Sequence, residues 1–407
     1  MTTTPSPAWI AKTSCAALLG QALLAPTATA SAPWVGALTD GDVKLHLRYR
    51  FESVDQDGID KDASASTLKT RITYTTAPWQ GFQGKLEFDD VTALGGEAYN
   101  STANGKGQYP VVADPAGTEV NQAWIRYSQE PFSVTAGRQR ILLDNQRFVG
   151  GVGWRQNEQT YDGLSATFNP VENLDLFYAY VHNVNRIFGP ENMLEAPDFG
   201  GDIHLLNAAY DCDWLGRVSG YAYLLDFEDA AALSSATYGV RLDGKYKTGE
   251  HSLLYTAEYA MQSDHGDNPA SYDADYYHLV GGLALPQATF KVGYEVLGSD
   301  DGVSFKTPLA TGHAFQGFAD KFLVTPPDGI EDLYVSASTT VQGTKLTATY
   351  HDFSAETGGE DYGSEIDIVV ARKFCDHYTA MLKYAKYSSD DYATDTDKLW
   401  LSVAATF

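Results

Sequence analysis

Apolar and polar residues alternate with a period of two along most of the chain. Val43, Leu45, Leu47, Tyr49 and Phe51 interleave with Lys44, His46, Arg48, Arg50 and Glu52, the pattern of a strand with one apolar and one polar face. Similar stretches lie near residues 66–77, 81–92, 119–129, 131–141, 158–168, 173–183, 202–212, 215–228, 236–247, 250–263, 271–284, 287–298, 329–341, 343–355, 362–374, 376–389 and 397–407. Together they predict about eighteen strands, an even number of the kind bacterial outer-membrane barrels use. Helical spacing at i, i+3, i+4 is not sustained after residue 30, and no later run approaches the ~18 uncharged apolar residues of a membrane helix. The last stretch places Leu399, Leu401, Val403, Ala405 and Phe407 on one face and Lys398, Trp400, Ser402, Ala404 and Thr406 on the other. An apolar edge left open invites aggregation, and in hydrocarbon each unpaired backbone group costs several kcal/mol. The stretch therefore predicts a closing strand that pairs with the first. The fold class is all-β: a transmembrane antiparallel β-barrel. On this stretch alone, the terminal strand of a soluble sandwich is the alternative.

Tight turns alternate with long loops. The short connections are Ala77-Pro78-Trp79-Gln80-Gly81, Gln129-Glu130-Pro131, Asn169-Pro170-Val171-Glu172, Lys247-Thr248-Gly249-Glu250, Leu285-Pro286 and Gln342-Gly343, rich in turn formers. The long ones lie near residues 54–65, 93–118, 142–157, 184–201, 264–270 and 299–328. Periplasmic turns and extracellular loops of a barrel alternate in this way. A propeller would show a repeat of ~40–45 residues per blade, and no such repeat is present.

The beginning of the chain reads as a targeting segment. Lys12 precedes the apolar run Cys15 to Ala25, and Ala28-Thr29-Ala30 supplies a small-residue cleavage site. Residues 1–30 are thus expected to be a cleaved signal peptide and residues 31–407 the barrel. Abundant aromatics (26 Tyr, 18 Phe, 7 Trp) with 37 Gly suit a barrel whose lipid face occupies alternate positions. The expected location is the outer membrane of a Gram-negative bacterium, among lipid and lipopolysaccharide. Beyond Cys15 there remain Cys212 and Cys375, each beside a short turn. They lie about eight strands apart in the ring, far beyond the ~7 Å Cα limit for a bridge, and are expected to be free.

A net charge of −25 seems at first to exclude an anionic cargo. The acids, however, concentrate in long connections: Asp55 to Asp62, Asp264 to Asp275, Asp300-Asp301, Glu356 to Glu365 and Asp390 to Asp397. None matches an EF-hand spacing. They read as a solvated rim that at most holds divalent cations loosely, and no cofactor is called for. The bases behave differently. Lys44, Arg48 and Arg50 occupy the polar face of the first segment, Lys69 and Arg71 that of the second and Lys85 that of the third, with Arg126 and Arg241 farther along. Arginine on the lipid side would cost ~2–4 kcal/mol at mid-membrane, so these faces are predicted to line the lumen. Arg and Lys around a pore favour anions, and guanidinium holds carboxylates bidentately. The alternative is that they only pair with Glu52, Glu87 and Asp89 of neighbouring strands. Arg138 and Arg140 end a strand, and Arg147 and Arg155 follow in a segment containing Gly150, Gly151 and Gly153, whose backbone freedom would let the loop fold inward and narrow a pore.

One stretch carries a specific resemblance. Gly137-Arg138-Gln139, then Asp144 to Gly150, Trp154-Arg155-Gln156 and Thr160-Tyr161-Asp162-Gly163 resemble the signature of the alginate export porins of Gram-negative outer membranes; Gly312 to Phe322 with Gly329 to Leu333 forms a second similar block. The resemblance implies an eighteen-stranded monomeric barrel whose arginine-rich constriction conducts an anionic uronate polysaccharide or its oligomers. Arg138, Arg147 and Arg155 match motif positions. The candidate pore-lining and substrate-binding set is thus Arg48, Arg50, Arg71, Lys85, Arg126, Arg138, Arg140, Arg147, Arg155 and Arg241.

Two other readings compete: a general small-solute porin of low selectivity, and a barrel enzyme. No G-x-S-x-G nucleophile motif is present, and His204, His251, His278, His351 and His377 show no metal-ligand spacing. No catalytic or metal-ligating residue is assigned, no nucleic-acid partner is expected, and a non-enzymatic channel is favoured.

Overall fold

The computed structural model describes residues 32–407 apart from Glu191 and Met193. The expected signal peptide, residues 1–30, lies outside the described residues. A short helix α1 (Pro33–Thr39) comes first, with Pro33 in its first turn, where the missing N–H is no loss. It rests against the first short turn, where the Ala77 N–H donates to the Ala37 carbonyl at 2.9 Å.

The strands then follow in order: β1 (Asp42–Gln56), β2 (Ala63–Thr75), β3 (Phe82–Ala93), β4 (Gly117–Gln129), β5 (Phe132–Gln139), β6 (Thr160–Phe168), β7 (Leu174–Asn185), β8 (Asp198–Cys212), β9 (Gly216–Phe227), β10 (Ser235–Thr248), β11 (His251–Asp264), β12 (Asp273–Ala284) and β13 (Ala288–Leu297). A small ribbon of β14 (Ser299–Asp300) and β15 (Val303–Ser304) intervenes before β16 (Ile330–Val341), β17 (Thr344–Ser354), β18 (Asp361–Phe374), β19 (Tyr378–Ser388) and β20 (Thr396–Thr406). Apart from the ribbon, these form one 18-stranded sheet in which each strand is antiparallel to its neighbours. β20 closes the ring on β1, with Arg50 opposite Ser402 and His46 opposite Thr406. Two further bonds finish the seam: the Leu45 N–H donates to the Phe407 carbonyl at 3.0 Å and the Phe407 N–H to the Leu45 carbonyl at 2.9 Å. Each period-two segment thus becomes one barrel strand. Closure leaves no unpaired edge, as a bilayer requires.

The apolar positions face outward, including Ile125 at 63% exposure and Val292 at 53%. No helix among the described residues is long and apolar enough to cross a membrane, and the outward apolar surface belongs to the strands. Cys212 and Cys375 are free, as expected.

The buried core lies inside the ring and is assembled by loops. The segments 140–159 and 298–329 both fold inward and meet there: the Gly150 N–H donates to the Leu309 carbonyl at 2.8 Å, and the Thr311 N–H to the Gln146 carbonyl at 3.0 Å. A Cβ on Gly150 would collide with Thr311, so this close approach needs glycine. Phe148 enters an aromatic cage of Tyr221, Tyr276 and Phe305, at centroid distances of 5.5, 5.1 and 5.7 Å. Trp154 stacks on His313 at 4.3 Å and meets Trp400 edge-on at 5.8 Å. The segment 94–116 adds Tyr99 and Val112 against Val54, Ala63 and Ala65.

Candidate functional site: the lumen

The wall from β1 to β4 carries cations on its polar face, and the inward loops meet it with carboxylates. Arg71 holds Asp89 with two bonds of 2.6 Å and reaches Glu158 at 2.9 Å. Lys69, fully buried, sits 3.1 Å from Asp89 and 3.9 Å from Glu158. Arg140 binds the same Glu158, at 2.8 Å through Nε, and Glu87 at 3.2 Å. A β-bulge at Glu87/Phe88 turns Asn121 and Gln122 both inward, so each amide donates to Glu87 at 2.8 Å. Burial by itself would raise the Glu158 carboxyl, but Arg71, Lys69 and Arg140 overcome it and hold it well below the usual carboxylate range.

A second network ties the three inward loops to the β20–β1 seam. Arg155 bonds Glu52 at 3.0 Å and Asp320 at 3.2 Å, with Asp114 at 3.9 Å. Asp114 accepts the Gln156 N–H at 2.8 Å, and Arg50 lies 3.7 Å from it with its guanidinium 4.1 Å over the Trp154 ring. Lys398 reaches Asp320 at 3.0 Å. His313 donates from Nδ1 to Asp320 at 2.6 Å and accepts at Nε2 from Lys383 at 2.7 Å, which fixes a neutral ring. Burial pushes the His313 imidazole down to about 3 despite Asp320. Burial would raise Asp320, yet His313, Lys398 and Arg155 hold it well below the ordinary range.

The opposite wall is acidic. Arg147 is buried against Glu295 at 2.7 Å and Gln316 at 3.0 Å, and Glu295 also accepts from the Tyr276 hydroxyl at 2.8 Å. Arg241 is clamped by Asp243 at 2.5 Å and Glu258 at 2.5 Å. His351 pairs with Asp332 at 2.9 Å. Glu365 and Asp367 of β18 receive the N–H groups of Ala319 and Phe318 at 2.7 and 3.2 Å. Gly317, at φ +77°, permits that contact, because a Cβ there would strike the Glu365 carboxylate.

The ten candidate residues therefore divide. Arg50, Arg71, Arg140, Arg147, Arg155 and Arg241 come to the lumen and are matched by carboxylates within 4 Å. Arg48, Lys85 and Arg126 line the lumen without a carboxylate partner among the described residues. Arg48 binds the loop through Gln156 Oε1 at 2.9 Å and the Gly153 carbonyl at 3.0 Å. Arg126 donates to Thr135 at 2.9 Å, and both Lys85 and Arg126 lie over Trp124, at 5.5 and 4.7 Å. Arg138 corrects the sequence expectation. It stands opposite Ala123 and in phase with Ala136, which pairs with outward Ile125. It therefore lies on the outer face at the end of β5, held by Asp162 at 2.8 Å and the Val120 carbonyl at 3.0 Å. An arginine near the interface costs far less there than at the midplane. The candidate set omits Lys69, Lys383 and Lys398, which the sequence places on inward faces, Glu158, which opens the period-two stretch 158–168 but precedes β6 in the structure, and Asp114, His313 and Asp320, loop residues that no periodicity marks.

Comparison with known proteins agrees with this architecture. Residues 40–182 match the alginate export family. Among solved structures, OccAB4 of Acinetobacter baumannii is similar at TM-score 0.72 and 13% identity, covering 90% of this chain and 98% of that one. OccK9 (OpdG) of Pseudomonas aeruginosa gives TM-score 0.71 at 15% identity, over 91% of this chain and 100% of that one. OpdK of Pseudomonas aeruginosa, solved with vanillate, gives 0.69 at 13%, over 90% and 98%. No protein of curated function matches the sequence. The chain is an outer-membrane barrel of porin type, and both the fold and the family match point to a channel rather than an enzyme.

Proposed function

We propose that the barrel gives passive, anion-favouring passage to an acidic polysaccharide or its oligomers, uronates of the alginate type. The observation that carries this reading is the trio Arg48, Lys85 and Arg126, on the lumen faces of β1, β3 and β4. Each carries a full positive charge with no carboxylate within 4 Å among the described residues, in a lumen where the carboxylates Glu87, Asp89 and Glu158 are already held by Arg71, Lys69 and Arg140. A passing carboxylate finds those three charges unmatched by any other carboxylate, although the Arg48 guanidinium is engaged by Gln156 and the Gly153 and Arg155 carbonyls, and a narrow lumen screens them less than bulk salt does. The family match over residues 40–182 supports uronates as the solute class. The acidic rim favours lipopolysaccharide as a neighbour, bridged by loosely held divalent cations.

The test is the reversal potential of single channels in a salt gradient, with block by alginate oligomers measured in parallel. Anion selectivity that declines in K85A/R126A, with weaker block, is the expected result. A cation-selective wild type overturns the reading. The second reading, a porin of low selectivity, is favoured by the six matched arginines, and it predicts a reversal potential near zero that the double substitution barely moves.

A further inference from the structure

The helix α1 is poorly suited to water. Its sequence, Pro-Trp-Val-Gly-Ala-Leu-Thr, carries no charged residue, has no side-chain cap and runs for only 7 residues, and isolated helices shorter than ~12–15 residues are marginal in water even for better sequences. Among the described residues, two hydrogen bonds tie it to the barrel: the Ala37 carbonyl accepts from the Ala77 N–H, and the Leu38 carbonyl from the Tyr74 hydroxyl. The second bond fixes which side of the wall α1 occupies. Tyr74 stands opposite Val43 on β1 and Leu86 on β3, both exposed and outward, so its ring lies on the outer face at the short-turn end of β2. The helix therefore hangs outside the ring and not beneath the lumen. On its free side Trp34 and Leu38, one turn apart, are each 51% exposed. The same end of the barrel carries outward aromatics on other strands, among them Phe82, Phe132, Tyr246, Phe374, Tyr378 and Phe407. Girdles of this kind mark the membrane–water interface of outer-membrane barrels.

We propose that α1 is an interfacial foot that docks on phospholipid, lying in the head-group layer of the periplasmic leaflet with Trp34 and Leu38 sunk toward the acyl chains. The lipid surface that covers the strands continues onto α1 without a break, because Tyr74 belongs to the outer face and holds the helix directly. A helix in this layer closes its own backbone hydrogen bonds, as an apolar setting demands, and takes from water the two side chains that the barrel leaves uncovered. Tryptophan suits the position, since its amphipathic ring settles at head-group level. The helix has no Lys or Arg and is followed by Asp40. No charge on it would draw an anionic lipid, so the docking is apolar and the fitting lipid is zwitterionic. Where α1 sits is independent of what the barrel conducts.

The test uses the full barrel in bilayers of phosphatidylcholine brominated either close to the head groups or near the chain ends, with the Trp34 emission taken as the difference between wild type and W34F. Shallow bromines should quench that emission about twofold more strongly than deep ones, and aqueous iodide should have little effect, as expected of an indole in the interface. Hydrogen exchange gives a second readout. The amides of residues 37–40, which donate within the helix, should exchange about tenfold faster in W34E/L38E while strand amides keep wild-type rates. Should W34E/L38E fail to fold, quenching of the wild type against W34F still decides. A Trp34 emission quenched by iodide and untouched by bromine puts the foot in water, free or under a soluble partner, and overturns the proposal. A W34E/L38E channel of higher conductance with unchanged exchange at residues 37–40 would make α1 a lid over the lumen and overturns it equally. Quenching that needs added phosphatidylglycerol would overturn the zwitterionic assignment.

Discussion

The two halves of the lumen are lined by the same strands, yet they treat positive charge in opposite ways. Toward the long loops, Arg50, Lys69, Arg71, Arg147 and Arg155 are buried or nearly so, and each has a carboxylate within 4 Å. Toward the short turns, Lys245, Lys291, Lys345 and Lys373 are exposed and have none among the described residues, and the exposed Lys44 and Arg217 make only solvated pairs with Asp42, Asp175 and Asp211. Hydration accounts for the contrast. Three loops exclude water from the first half, where an unmatched ion loses its solvation and must find a counter-ion. In the second half water reaches the ammonium groups, an exposed ion pair would contribute only ~0–1 kcal/mol, and the charges stay available to a solute. One half is therefore built for holding loops and the other for handling ions.

The largest effect expected is from Arg155→Ala in the closed half. It strands Glu52, Asp114 and Asp320 together, and breaking a buried pair of this kind costs about 3–5 kcal/mol. Thermal unfolding of the heat-modifiable barrel should occur at markedly lower temperature, with noisier conductance as the loops loosen. Unchanged melting would show that Arg155 does not tie the loops to the seam.

Arg71 and Arg126 sharpen the comparison because they differ in partners and not in charge. Arg71→Ala removes charged hydrogen bonds worth about 2 kcal/mol and should lower stability while hardly moving selectivity. Arg126→Ala loses one bond to Thr135 and should leave melting intact while lowering the anion-to-cation permeability ratio about twofold, as a single charge in a water-filled lumen would. Reversal potential and melting on the same preparations decide it; the opposite assignment would dissolve the distinction between the halves.

His313 gives a smaller, pH-dependent effect. Its folded pKa is depressed to about 3 by burial, so its contribution is complete above the unfolded value near 6.5 and is lost as pH falls from there toward 3. Asp320, also depressed, contributes above about 3.8 and gives way only below it. Wild-type melting should therefore decline between pH 7 and 4, and His313→Gln should flatten that slope. A slope unaltered by the substitution would assign the titration elsewhere.

The smallest effect belongs to Tyr161→Phe. The hydroxyl donates to the Gly150 carbonyl at 2.7 Å, and Gln159 Nε2 still reaches that carbonyl at 3.0 Å after its removal. A loss of about 1 kcal/mol in melting experiments is expected, with selectivity unaltered.

The sequence by itself determined the ring. A period of two specifies which residues share a face, and the cost of a charge in hydrocarbon specifies which face is inward, so Arg48, Arg50, Arg71, Lys85, Arg126 and Arg241 were legible as lumen residues. The same rule would have placed Arg138 outward, in phase with Val134 and Ala136; motif position misled where parity did not. Applied further, the rule would also place Lys245, Lys291, Lys345 and Lys373 inward, which the sequence reading did not single out. Only the tertiary structure decided which cations are spent on carboxylates. Arg155 meets Asp320 across 165 residues and Arg48 meets Gln156 across 108, through loops that carry no periodic signal. Face is a local consequence of backbone geometry, whereas partnership depends on where irregular segments come to rest, and that is set by burial summed over the whole lumen.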